Sequence, residues 1–150
     1  MARKPTSSIL DAVPPSDKDA ERSILASLLM DPSRRDEVSA ILKPEAFYVE
    51  AHRTIYATLL AMGDVDMILL VNRLRTAGDL EEIGGPAYLA DVLSSVAIPN
   101  HAVHYARIVA ETARKREMIH LNKSVLVALY SGKWTAKQLA TRLIERLREI

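Results

Sequence analysis

Residues 101–130 contain neither proline nor glycine, and this stretch constrains the fold more than any other part of the chain. Such a run predicts a single helix of roughly 45 Å, because an α-helix rises ~1.5 Å per residue. Apolar side chains in its second half, residues 118–130, cover roughly 200° of the circumference, about twice an ordinary one-sided stripe. One neighbouring helix cannot cover that arc, so we expect this surface to meet a further partner.

A second helix is predicted after a turn at residues 131–134. Thr135 and Gln138 have the spacing of a capping box, and the apolar side chains that follow share one face. Residues 101–150 therefore predict a helical hairpin, and a like hairpin from a second copy is the simplest cover for its outer surface. The predicted interface residues are Met118, Leu121, Val125, Leu126, Leu129, Tyr130, Leu139, Leu143 and Leu147.

The preceding residues, 17–100, predict a compact globular body of about six helices. Ser16 or Asp17 can cap the first of these helices. Ser33 is expected to cap the second, and Asn100 the long helix at residue 101. Residues 1–16 are expected to form a flexible lead-in. The fold class predicted from these patterns is all-α.

One short apolar run, residues 65–71, is compatible with either a buried strand or a helix. We favour a helix, because Asp66 can cap it and Gly78 supplies a stop after the last apolar position. Nowhere else does the sequence offer a second strand with which it could pair.

The composition excludes several classes of protein. The chain has 150 residues and no cysteine, so disulfides, thiol nucleophiles and cysteine metal sites are excluded. Its apolar runs are too short for a membrane span of ~18 residues or more. The first five residues lack the apolar segment of a signal peptide. We expect a cytoplasmic protein with no membrane association.

The charge is divided unevenly along the sequence. Residues 17–100 carry 8 basic and 14 acidic side chains, and residues 101–150 carry 10 basic and 4 acidic ones. The basic C-terminal half is compatible with nucleic-acid contact, which would make the chain a small helical nucleic-acid-binding protein. We prefer the alternative that these charges lie on polar helix faces and meet the acidic body of a neighbouring subunit.

The sequence gives only weak evidence for a catalytic or metal-binding site. His52 lies among apolar positions, where a histidine hydrogen-bonded to a neighbour is expected rather than a catalytic base. His101 and His104 are expected to be surface histidines, and residues 114–116 a solvated basic helix face. Trp134 is expected either to cap the hairpin locally or to anchor a partner. We expect no catalytic residue, cofactor or metal in this chain.

An ordered set of short motifs resembles the N-terminal domain of bacterial replicative DNA helicases of the DnaB type. The resemblance runs from about Pro14 to Ile119 with its spacing nearly intact, and residues 120–150 are similar only as a helical hairpin. The matching positions are Pro15, residues 20–25, Leu28, Leu29, Phe47, Tyr48, His52, Arg53, Ile55, Tyr56, Asp66, Leu74, Gly78, Leu80, Gly84, Gly85, Tyr88, Leu89, Asn100, Tyr105, Ala106 and Arg116.

The resemblance implies a non-catalytic collar domain. In this family the hairpins pair two subunits, three pairs form a collar on the hexamer, and the collar docks the primase's helicase-binding domain, while loader proteins act on the same helicase. DNA contact by this domain is expected to be weak or absent. ATP and Mg²⁺ belong to a separate motor domain, which these residues lack.

Three points of the resemblance stay open. The loop at residues 63–65 is shorter than is usual in the family. The chain is either part of a longer helicase, which we favour, or a stand-alone collar protein. The primase's own helicase-binding domain has a similar helical layout, which leaves a mirrored assignment as a further alternative.

Overall fold

A computed structural model describes residues 9–95 and 97–150, so the first half of the predicted lead-in, residues 1–8, lies outside the described residues. Within the described ranges the chain forms helices and turns without a strand, and the all-α prediction is confirmed. The α-helices are α1 (Lys18–Met30), α2 (Arg35–Ser39), α3 (Glu50–Ala61), α4 (Met67–Ala77), α5 (Asp79–Glu82), α6 (Gly85–Leu93), α7 (Ala102–Tyr130) and α8 (Ala136–Leu147).

Helix α1 begins where the sequence predicts. The Asp17 carboxylate accepts a hydrogen bond from the Ala20 amide at 2.9 Å, which makes Asp17 the cap. Ile24, Leu25 and Leu28 are fully buried and form the face that packs into the core.

The prediction that Ser33 caps α2 is wrong. The Asp31 carboxylate accepts hydrogen bonds from the Ser33 amide at 3.2 Å and from the Ser33 hydroxyl at 2.5 Å. The bond from the Ser33 side chain lowers the pKa of Asp31. Residues 32–34 therefore form a 3₁₀ turn, and α2 starts only at Arg35. Helix α2 ends at Ser39, so Ile41 lies beyond the helix, and its side chain is exposed.

The segment between α2 and α3 packs aromatic rings into the core. Phe47 is fully buried, and its ring centroid lies 4.7 Å from that of Tyr56. The Tyr56 hydroxyl donates to the Leu42 carbonyl at 2.8 Å, and burial raises the pKa of Tyr56. The phenol therefore keeps its proton and remains a hydrogen-bond donor.

Residues 65–71 lead into a helix, which confirms the choice made from the sequence. The Asp66 carboxylate accepts from the Leu69 amide at 2.8 Å and caps α4. Gly78 ends α4 with a φ of 86°, a left-handed conformation that suits glycine. Asn100 does not stand directly before α7 as predicted. It lies inside the 3₁₀ turn Pro99–His101, and its side-chain oxygen accepts from Arg34 at 2.7 Å.

The chain divides into two compact units. The body unit comprises residues 16–113, and Ala102, Ala106 and Val109 of α7 are buried in its core. The hairpin unit comprises residues 114–150 and, of the described residues, 9–15. The division of the chain by role, into a globular body at residues 17–100 and a hairpin for self-association at residues 101–150, stays a prediction. No helix in the described ranges is long and apolar enough to cross a membrane.

Candidate self-association interface

The turn of the hairpin is built by local hydrogen bonds. The Thr135 hydroxyl accepts from the Gln138 amide at 3.2 Å, and the Gln138 side chain accepts from the Thr135 amide at 2.9 Å. This reciprocal pair is the predicted capping box, and it starts α8. The Arg142 guanidinium lies 4.1 Å from the centroid of the Trp134 ring, a cation–π contact within the hairpin. Trp134 therefore has a local role in the turn.

Four of the predicted interface residues line a cleft between the two helices of the hairpin. Leu121 and Val125 approach it from α7, and Leu139 and Leu143 approach it from α8. Leu139 is buried and the other three are half-buried. These four side chains make an inner seam that the chain largely covers for itself, so their first role is to hold the hairpin together.

The other five predicted interface residues are exposed. Tyr130 is 90% exposed and Leu126 is 39% exposed. Exposed apolar side chains of the same hairpin that the prediction omitted extend the set. We call the whole set the outer face, and its members are Met118, Ile119, Leu126, Val127, Leu129, Tyr130, Ile144 and Leu147.

The outer face is energetically unfavourable in an isolated chain. Full burial of a large apolar side chain stabilises a protein by about 1.5–3 kcal/mol, so even partial cover of several of them contributes a few kcal/mol. Single exposed apolar side chains are common on protein surfaces, whereas eight of them on two consecutive helices of one unit are typical of an interaction site. The outer face therefore has the chemistry of a protein–protein contact.

The predicted set of interface residues omitted Ile119, Val127 and Ile144. Val127 lies inside the apolar run that ends at Tyr130, and Ile144 is the neighbour of Leu143. Helical periodicity identifies an apolar arc but not which part of a wide arc the partner helix covers. The position of α8 decides which part of the arc on α7 is covered. That position depends on how the helices pack and not on the local spacing of apolar residues.

His52 is a buried structural histidine, as predicted. Its Nδ1 lies 2.7 Å from the Glu21 carboxylate, which is itself fully buried, and its Nε2 lies 3.3 Å from the Tyr88 hydroxyl. The same carboxylate accepts from the backbone amides of Tyr48 at 2.6 Å and Val49 at 3.3 Å. This network ties α1 to the start of α3.

The other polar residues considered in the sequence are His101, His104 and the basic residues 114–116. The rings of His101 and His104 each lie edge-on to the ring of Tyr105. Among the described residues, no group of three or more His, Asp or Glu side chains is placed to hold a metal ion. Arg116 is half-buried and donates to the Pro15 carbonyl at 2.8 Å, so it is not the solvated side chain expected at this position.

Comparison with known proteins identifies the chain's relatives. Residues 13–111 match the family model described as the DnaB-like helicase N terminal domain. The crystal structure of the N-terminal domain of DnaB helicase from Mycobacterium tuberculosis superposes with a TM-score of 0.83 at 28% sequence identity. The match covers 92% of this chain and all of that one.

Curated relatives give the same picture. The chain is 29% identical over 144 residues to the replicative DNA helicase DnaC of Bacillus subtilis, covering 93% of this chain and 32% of that protein. It is 34% identical over 119 residues to the replicative DNA helicase DnaB of Geobacillus stearothermophilus, covering 77% of this chain and 26% of that protein. The chain thus spans less than a third of the length of each of these two relatives.

Proposed function

The chain belongs to the family of DnaB-like helicase N-terminal domains, and from that membership we propose that it is a collar module of a replicative DNA helicase. Its role is to join helicase subunits and to dock primase or a loader in the primosome. The matched residues are the N-terminal domain and not the ATPase motor, so this chain is not the catalytic part. ATP and Mg²⁺ binding are assigned to the motor, and the working location to the cytoplasm.

The outer face is the observation that supports self-association most directly. It is formed by two consecutive helices of one unit, and the inner seam holds those helices in place independently of any partner. A two-fold pair would place the outer face of one copy against the same residues of another, which is the self-complementary arrangement of most dimers. Three such pairs would make the hexameric collar that we propose for the full helicase.

The test is the effect of Leu126→Asp on the mass of the chain in solution. Leu126 belongs to the outer face and does not line the inner seam, so an aspartate there disturbs the pairing surface more than the hairpin. We expect wild type to sediment as a dimer or larger species at micromolar concentration. We expect the variant to dissociate at least about 100-fold more readily, because a desolvated, unpaired charge then enters the contact twice.

Ile68→Asp is the matched control. Ile68 is also an exposed apolar side chain on a helix, but it lies in α4 of the body unit. This variant should keep the wild-type sedimentation profile, and both variants should keep the wild-type circular dichroism at 222 nm. A wild-type chain that stays monomeric at high concentration contradicts the proposed function. Equal behaviour of Leu126→Asp and wild type shows that the contact lies elsewhere.

A further inference from the structure

Residues 9–15, expected from the sequence to belong to a loose lead-in, take part in the hairpin unit. We call this segment the strap. It begins with a 3₁₀ turn at Ile9–Asp11 and ends at Pro15, whose carbonyl accepts the hydrogen bond from Arg116. That bond joins residues 101 positions apart. This bond fixes the C-terminal end of the strap to α7, the first helix of the hairpin.

An apolar groove of approximately 390 Å³ lies between the strap and α7. Volumes of this size are in the range that holds a small ligand or a few side chains of a protein partner. The strap side of the groove is formed by apolar residues, and on α7 Ile119 adds another. The residues that matter here are Ile9, Ala12, Val13 and Pro14 from the strap and Ile119 and Asn122 from α7.

Two apolar side chains of the strap are largely exposed. Ile9 is 88% exposed and Val13 is 81% exposed, although both line the groove. A segment that packed on α7 only to stabilise its own chain would turn these side chains toward the helix. Their exposure beside an open apolar groove is the feature of a surface that is completed by another molecule.

The position of the groove on α7 indicates which molecule that is. Met118, Asn122 and Leu126 are spaced four residues apart and lie in one row along the helix. Asn122 lines the groove, while Met118 and Leu126 belong to the outer face. The groove therefore opens in the middle of the outer face, and a helix that covers Met118 and Leu126 must pass over its mouth.

We propose that the strap is part of the self-association surface and that the groove receives apolar side chains of a second copy of this chain. The inference rests on the proposed self-association and extends it to a segment about 100 residues away in sequence. In a two-fold pair each copy contributes its strap, so the contact occurs twice. The Arg116 bond to Pro15 positions the strap for this contact.

The first experiment measures self-association of the 150-residue chain carrying both Ile9→Asp and Val13→Asp. The dimer dissociation constant from sedimentation equilibrium should rise at least about tenfold, because charge is then placed in the apolar groove of both copies. Ile68→Asp serves again as the matched control and should stay within about twofold of wild type. Circular dichroism should show unchanged helicity in all variants, because neither Ile9 nor Val13 lies in an α-helix.

The outcomes separate this inference from the proposed function. If Leu126→Asp disperses the oligomer while the strap variant does not, the groove has another occupant and the inference is wrong, but the collar function stands. If wild type is monomeric, both fail.

A second experiment detects the contact by crosslinking and does not depend on a change in the stability of the dimer. A photo-crosslinking residue at position 13, in a mixture of ¹⁴N- and ¹⁵N-labelled chains, should give mixed-isotope crosslinks. The crosslinked partner peptides should come from α7 or α8. Crosslinks within single chains alone overturn the proposal.

Discussion

At the scale of single residues, Glu21 shows why an acidic side chain is fully buried in the body. Val49, the residue before α3, has no side-chain oxygen with which to cap the helix. The Glu21 carboxylate, which comes from another helix, instead accepts from the amides of Tyr48 and Val49, the two residues before α3. The positive end of the helix dipole favours an anion at this place. His52, in the first turn of α3, completes the set of donors around the carboxylate.

We expect Glu21→Ala to destabilise the body unit by about 3 kcal/mol or more. The substitution leaves two backbone amides and one ring nitrogen buried without their acceptor, and each such loss costs about 1–3 kcal/mol. Urea unfolding followed by circular dichroism measures the change. Glu45→Ala is the matched control, because Glu45 is exposed in the turn just before the same helix, and it should change stability by less than about 0.5 kcal/mol. A loss below about 1 kcal/mol for Glu21→Ala would contradict this account of the network.

At the scale of elements, three of the α-helices, α1, α4 and α8, begin where a side chain near in sequence supplies a cap. Asp17, Asp66 and Thr135 each accept a hydrogen bond from an amide three residues later, and all three follow from the sequence. The end of α3 is held differently. The Arg35 guanidinium, from α2, donates to the carbonyls of Leu59, Met62 and Gly63. No pattern in the sequence near residue 62 indicates this cap, because its donor lies 24–28 positions away.

A pair of glycine substitutions tests the role of Gly78 in ending α4. An added Cβ at Gly78 meets no atom within 4 Å, so Gly78→Ala introduces only the cost of a positive φ. We expect a destabilisation of about 1–2 kcal/mol. Gly63 has equal space for a Cβ and no positive φ, so Gly63→Ala should be neutral or stabilising by up to about 1 kcal/mol. Equal effects of the two substitutions in thermal unfolding would show that backbone conformation does not decide the end of α4.

At the scale of the whole molecule, the two units differ in charge and in how completely they cover their apolar surface. Residues 16–113 carry nine basic and fifteen acidic side chains, and residues 114–150 carry nine basic and three acidic ones. Opposite net charges on the two units favour contacts between unlike units of neighbouring copies. The body unit buries most of its apolar side chains but leaves Ile68 and Leu69 of α4 exposed. Self-association through the hairpin unit does not require these two residues, and their exposure on α4 makes this helix a candidate docking surface.

We expect the primase's helicase-binding domain to dock through α4. Isothermal titration of wild type with that domain should give saturable binding, and Ile68→Asp should weaken it at least about tenfold, because the apolar contact would then contain a charge. Leu126→Asp is the reciprocal control. It alters the proposed self-association surface and leaves α4 unchanged, so it separates docking from self-association. Undiminished binding by Ile68→Asp would place the docking surface elsewhere, and no binding by wild type would remove docking from the proposed function.

The sequence by itself determined the helical class, the starts of α1, α4 and α8, the end of α4 and the surplus of apolar surface on the hairpin. These properties follow from spacing, caps and turn residues within a few positions of one another, and local interactions decide them. Only the tertiary structure decided that Leu143 faces the inner seam while Ile144 is exposed, that Glu21 binds the backbone amide of Tyr48, 27 residues away, and that Arg116 holds Pro15. Those contacts join positions far apart in sequence. Which distant groups meet depends on how the whole set of helices packs, and no local pattern carries that information.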